Sequence, residues 1–360
     1  MMKLYLRNQL CIPVIGFNRA IIYDLGRKDY HFISIEHYHI LNTDGFINFD
    51  RISDQSERSE LIKFLLNLEV IFEVASAQEE KRFPKISRAL HHTNQLTHAV
   101  VHVDVSNKFI DFISQNHLQN LSIISAQIDD KLINLIESFA YLEIDGIYLY
   151  IERFDAEKLD EYERELARQP AIFSVNFFGT DKAHTKLKDN IYYNFFTESF
   201  GDYQQLLTVD KLFVNQDFFL EAYNKHSYYN GKIYIDQSGN IKNGLNNTQS
   251  FGNITSMSYD EFHQTINSNQ FLELGNLNKN QTLVCQHCEF RYMCTDIRVP
   301  DKGAEYWFHH FECAYNPFIS RWNYEEGYLD LNESGITVSA SGCAINEDKL
   351  SETFNKIWSE

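Results

Sequence analysis

The chain has 360 residues, 44% hydrophobic and 23% charged, with 28 Phe and 21 Tyr but only 5 Pro. That composition builds packed cores and excludes a disordered or low-complexity chain. The net charge of −18 repels phosphate backbones and anionic lipid, so neither nucleic acid nor a membrane is an expected partner.

The length predicts two or three domains. No apolar run approaches the roughly 20 residues that span a bilayer. The start, from Met1 to Asn8, lacks the apolar stretch and cleavage site of a signal peptide, so a cytoplasmic protein is expected.

In chain order, residues 1–75 read as a small α+β unit. Ala20 to Leu25 and Tyr30 to Ile33 form a hairpin around Gly26 to Asp29. A short helix is expected near Glu36 to Leu41. Asp54 with Glu57 marks the cap of a second helix, along which Leu61, Phe64, Leu65 and Leu68 recur at helical spacing. Val70 to Val74 reads as a strand. Hairpin, helix, helix, strand is a winged-helix-like order; a plain packing cap is the alternative. Residues 75–97 turn polar and read as a linker.

From Val100 the pattern alternates. Strands are expected at Val100 to Val105, from Ile123, at Ile147 to Ile151 and at Ile172 to Val175. A fifth is expected to begin at Ile191. Helices are expected between the first four, over 109–118, 130–142 and 156–168. The strand starts lie 23, 24 and 25 residues apart, one βα unit each, which predicts a parallel sheet with right-handed crossovers. About five units are too few for an eight-fold barrel, so the α/β region over 97–225 is expected to be a partial, open barrel. Residues 226–360 begin with a hairpin, Lys232 to Asp236 with Asn240 to Lys242, followed by a Cys-rich segment. Gly335 to Ser339 is a short strand and Glu347 to Trp358 a terminal helix.

Four of the six cysteines, Cys285, Cys288, Cys294 and Cys313, fall within 29 residues. In a reducing compartment such a cluster is a metal site before it is a disulfide framework. Four thiolates suit a tetrahedral zinc or a 4Fe–4S cluster equally by count. His287, His309 and His310 are candidate substitutes for one ligand, although each reads first as a neighbour of the site. Cys11 and Cys343 stand alone. Asp104 and Glu152 end βα strands, where active-site residues gather, but a lone carboxylate there equally caps a helix. The His91–His92 dyad reads as solvated surface. The chain has neither a Gly-rich phosphate loop nor a nucleophile elbow.

The run Val284 to Asp296, holding C-x2-C-x5-C, resembles the C-terminal SPASM module of peptide-modifying radical SAM enzymes. It is most similar to the SPASM-domain peptide maturases of grasp-with-spasm (graspetide-type) systems. Cys11 to Leu25, Asn230 to Asp236, Ser250 to Ile254 and Tyr315-Asn316-Pro317-Phe318 add to the likeness. The resemblance implies a winged-helix-like peptide-recognition unit over 1–75, a degenerate radical SAM-type partial (β/α) barrel over 97–225 and a SPASM-like metal-binding module over 226–360. It also implies a 4Fe–4S cluster on Cys285, Cys288, Cys294 and Cys313, with zinc the rival. The implied partners are a small precursor peptide and an ATP-grasp ligase.

The chain departs from that family at two points. The family's other auxiliary cluster needs a Cys after the hairpin and another four residues beyond the Cys run. Asn243-Gly244 and Arg298 stand there instead. The C-x3-C-x2-C run that binds S-adenosylmethionine occurs nowhere, and Ser106 to Phe112 fills its expected loop. The expectation is therefore a precursor-binding maturation component without radical SAM chemistry, with no catalytic residue identified. A peptide-modifying enzyme using the retained cluster and a zinc-stabilised scaffold are the alternatives.

Overall fold

A computed structural model describes residues 3–91, 95–116, 118–169, 171–205, 207 and 209–358. The chain opens with β1 (Leu4–Arg7), β2 (Cys11–Ile15), β3 (Ala20–Asp24) and β4 (Asp29–Ile33). Helices α1 (Ile35–Leu41) and α2 (Gln55–Asn67) follow, then β5 (Ile71–Val74), which returns antiparallel beside β1. Asp54 caps α2 by accepting from the Ser56 and Glu57 amides, as its sequence position predicts.

Strands β2, β3 and β4 form an antiparallel sheet in that order. Alternation splits its side chains between two cores. Cys11, Ala20 and Ile22 pack with α1 and α2 residues such as Leu41 and Leu65. Ile12, Val14, Ile21 and Tyr23 pack the other way, against Phe290, Tyr292 and Met293 of the Cys-rich segment. The two outer edges differ. On β2, Pro13 offers no N–H, and the Arg7 and Arg291 guanidinium groups donate to the Cys11 and Ile15 carbonyls, each at 2.6 Å. β4 has no strand partner on its outer side among the described residues.

The alternating region builds β6 (His98–His102), α3 (Asn107–Ile113), β7 (Asn120–Ser125), α4 (Asp130–Phe139), β8 (Gly146–Ile151), α5 (Leu159–Leu166) and β9 (Ile172–Phe177). Next come β10 (His184–Lys188), β11 (Ile191–Phe195), α6 (Phe200–Gln205) and α7 (Gln216–Asn224). Then β12 (Lys232–Ile235) and β13 (Ile241–Lys242) precede α8 (Tyr259–Ile266) and α9 (Asn269–Asn276). The result is a mixed α/β arrangement around one eight-stranded sheet of order β10-β11-β9-β8-β7-β6-β12-β13. Six neighbouring strands, β12 through β11, run parallel, and an antiparallel strand closes each edge.

Two features depart from the expected chain of βα units. β9 and β11 are joined by the hairpin strand β10 rather than a helix. Its turn residues Asp189 and Asn190 both have positive φ, 52° and 63°, the conformation of a tight hairpin turn. The predicted hairpin at Lys232 does not stand with the Cys-rich segment. Its first strand, β12, slots in parallel beside β6, buries Ile233 and Ile235, and is followed by α8 and α9, whose Phe262, Ile266 and Phe271 join the same core. The beginning of 226–360 thus completes the sheet, and the residues after about 277 hold the cysteines. That remainder is short two-stranded pairings and α10 (Glu347–Trp358). No helix among the described residues is long and apolar enough to cross a membrane.

Candidate functional site

Cys285 begins a single 3-10 turn, Cys285–His287, whose closing bond runs from the Cys288 amide to the Cys285 carbonyl at 3.0 Å. The turn brings the Cys285 sulfur close enough to act on the Cys288 thiol. Val284, just before it, has φ 68°, a strained conformation for a β-branched residue. The next stretch is pinned from outside. Ser227 donates to the Cys294 carbonyl at 2.8 Å, and the Phe213 amide to the Met293 carbonyl at 2.8 Å. Cys313 enters from the pairing of Asp301–Lys302 with Trp307–Phe308 and leads into Tyr315–Asn316.

The structure gathers all four predicted thiols into one electrostatic group. Burial, Glu289 and the other three sulfurs push the Cys288 thiol well above its ordinary range. Burial likewise raises Cys285, and raises Cys313 to about 12; Cys294 opposes the ionisation of both. A cation brought among them would displace protons, so binding weakens as pH falls. Among the described residues no three of the four sulfurs lie within 4.8 Å of one another; the one trio of potential ligand atoms that does is Cys285, Asp296 and His309. A cavity of about 150 Å³ lies beside Cys285 and Cys313, also lined by Arg298 and His309.

Asp296 is already committed. Its carboxylate lies 2.6 Å from Arg298, 3.4 Å from Lys279 and 3.6 Å from His309. The Lys279 ammonium, 3% exposed, also points at Cys294 Sγ at 3.5 Å. Burial works against that charge, but Cys294 and Asp296 outweigh it and hold the ammonium protonated. Four thiolates with either a zinc ion or a 4Fe–4S core carry a net charge of about −2. The cationic excess of Lys279 and Arg298 over Asp296 offsets part of it.

The Cys loop is clamped to the N-terminal sheet. Glu289, fully buried, accepts from Arg19 at 2.6 Å and from the Tyr315 hydroxyl at 2.5 Å. Tyr23 donates to the Glu289 carbonyl at 2.7 Å. Gly16 is needed at this join, because a Cβ there would lie 2.7 Å from the Glu289 carboxylate.

The other candidates fall outside this cluster. Asp104 pairs with Lys131 at the surface. Glu152 follows β8, and its amide donates to the Ser125 carbonyl. His287 packs between Phe17 and Phe318. His310 is exposed near Asp301. Cys11 is a core residue whose thiol burial pushes up to about 12. Cys343 lies in the hairpin strand Gly342–Ile345. His91 is exposed, and His92 lies outside the described residues.

Of the two positions where the family resemblance would put a further cluster, Gly244 is closed by tyrosine and position 298 carries Arg298, paired with Asp296. A Cβ on Gly244 would meet the Tyr229 ring at 2.4 Å, and the Tyr229 hydroxyl reaches the Ile297 carbonyl at 2.8 Å, one residue from Arg298.

Sequence reasoning missed the Lys279–Asp296–Arg298 ion cluster and a second, larger cavity. The latter, about 990 Å³, lies over one face of the large sheet and extends to Arg298 and Cys313. The signal for it was present: His98, Asn120 and Ser122 interrupt parallel strands that otherwise read as apolar.

No family model, no curated protein and no solved structure matches this chain.

Proposed function

We propose that this chain is a maturation component for a ribosomally made peptide. It binds the precursor, assists a partner ATP-grasp ligase, and performs no radical SAM chemistry. In this reading the N-terminal unit is winged-helix-like, the large sheet is a partial barrel, and the Cys-rich end is a SPASM-like module with one 4Fe–4S cluster on Cys285, Cys288, Cys294 and Cys313. The observation that carries it is the open edge of β4 beside the Cys loop. No further strand covers that edge among the described residues; the Tyr30 N–H donates to Asp29 Oδ1 at 2.8 Å, and the other outward backbone groups are open to pairing with an extended peptide. Its Tyr30 and Phe32 rings lie 6.1 and 6.0 Å from the Phe290 ring, two residues after Cys288.

The spread of the thiols is the feature that favours a cluster over zinc. Tetrahedral zinc draws four sulfurs to roughly 3.8 Å from one another, whereas no three of the four thiols lie within 4.8 Å of one another among the described residues. A four-iron cluster spreads them over four different metal ions and needs room; a cavity of about 150 Å³ adjoins two of the four thiols, Cys285 and Cys313.

Hydrogen–deuterium exchange on the full chain, with and without the precursor peptide, tests the reading. Slowed exchange over Asp29–Ile33 is the expected result. Precursor binding that leaves those amides unchanged, or no binding, overturns it.

The second reading, a peptide-modifying enzyme, is favoured by the large cavity reaching Cys313. A fully Cys-ligated centre has no open coordination position, so its chemistry would be electron transfer. A mass change in the precursor produced by the purified chain alone would select this reading.

A further inference from the structure

The large sheet has two unlike faces. On one, Ala99, Val101, Leu121, Ile123, Ile147 and Leu149 are at most 1% exposed beneath the helices. On the other, His98, Asn120 and Ser122 share the surface with Tyr148 and Tyr150, and the cavity of about 990 Å³ lies over them. A parallel sheet packed on both faces carries apolar side chains on both. Amide, hydroxyl and aromatic groups beneath a cavity at the upper end of the small-ligand range instead describe a binding floor.

The wall carries the carboxylates of Asp217, Glu221, Asp296 and Glu312 as well as cations, and one of those cations makes no hydrogen bond among the described residues. The Lys232 ammonium lies 3.5 Å from the centroid of the Tyr228 ring. It makes no hydrogen bond or ion pair among the described residues. Burial pushes it down to about 8, with Glu221 as the opposing charge. A ring face attracts a cation but cannot accept its three N–H bonds, whereas a carboxylate can. The other cations of the region are engaged: Arg298 with Asp296, and Lys211 with the Tyr203 carbonyl. The Asn120 carboxamide is likewise without a hydrogen bond among the described residues, and can serve a peptide N–H or C=O.

We propose that this cavity binds an extended peptide segment through an acidic side chain, whose carboxylate pairs with Lys232 while its neighbours lie on Tyr148 and Tyr150. The segment then runs from the sheet floor toward Cys313. This deepens the precursor-binding reading and rests on it, but concerns a different surface from the β4 edge.

The test is fluorescence anisotropy on the intact protein. The probe is a labelled hexapeptide alternating glutamate and phenylalanine, compared with the same peptide carrying glutamine for glutamate. The expected result is a preference of roughly tenfold or more for the glutamate peptide, the weight of a charge-assisted hydrogen bond. Lys232→Met should abolish it and Lys232→Arg should retain it, both folded by circular dichroism. Equal affinity for the two peptides, or a preference that survives Lys232→Met, overturns the proposal. The exchange experiment on β4 is independent of Lys232. Protection there with no Lys232-dependent preference defeats the cavity assignment alone, and the reverse pattern defeats the strand-edge reading alone.

Discussion

Cys288 is the thiol on which burial, Glu289 and the other three sulfurs all act. Cys288→Ser is therefore expected to lose the metal and to cost several kcal/mol of stability, given what structural metals contribute in small domains. Full metal content and unchanged melting in that variant would remove the assignment. A second prediction concerns protons. Burial and then Lys232 lower the His98 imidazole from 6.5 to about 4, so the fold holds it neutral. The unfolded chain takes up the proton first as pH drops below about 6.5, and stability falls from there toward pH 4. Denaturant titrations at pH 7 and pH 5 should show wild type losing more stability than His98→Gln. Equal losses would mean that His98 titrates normally.

The elements most legible in the sequence were those with a local cause. Asp54 announced α2 through its cap, and the spacing of about 24 residues announced β6 to β9 because each βα unit closes on itself. β12 was read as a strand but not as the neighbour of β6, since that pairing joins residues more than 130 positions apart. It depends on Gly231, whose carbonyl accepts from the Thr97 and His98 amides at 2.8 and 3.0 Å. Gly231 has φ 61°, and a Cβ there would lie 2.5 Å from Thr97 Oγ1. Gly231→Ala should cost at least about 1 kcal/mol in strain alone, visible as a lower melting temperature. Adding Thr97→Ala should recover only the clash. Full recovery would show that the backbone conformation is unimportant. In the Cys loop, the clustering of four cysteines was plain in the sequence. The ion cluster around Asp296 was not, because Lys279 approaches from 15 residues before Cys294 and pairing across a loop leaves no periodic trace.

At the scale of the whole molecule, the Cys loop and the N-terminal sheet share a core. Tyr23, Ile12 and Val14 share a core with Phe290 and Met293. The Arg19–Glu289 pair crosses the join with the Glu289 carboxylate fully buried. Arg19→Met would leave that carboxylate without its cation, at an expected cost of about 3–5 kcal/mol. Loosening of the Cys loop should accompany it, measured, for the proposed metal centre, as faster metal loss to a chelator. Chelator kinetics matching wild type would mean that the two parts are coupled more weakly than their packing suggests.

The proposed function rests on Cys285, Cys288, Cys294 and Cys313 forming one cluster-bearing centre. Anaerobic purification followed by metal and sulfide analysis, with a visible spectrum, tests this most directly. The expected result is roughly four iron and four sulfide per chain with broad absorption that bleaches on reduction, all lost in Cys288→Ser. A colourless protein holding about one zinc per chain, or no metal at all, would contradict it.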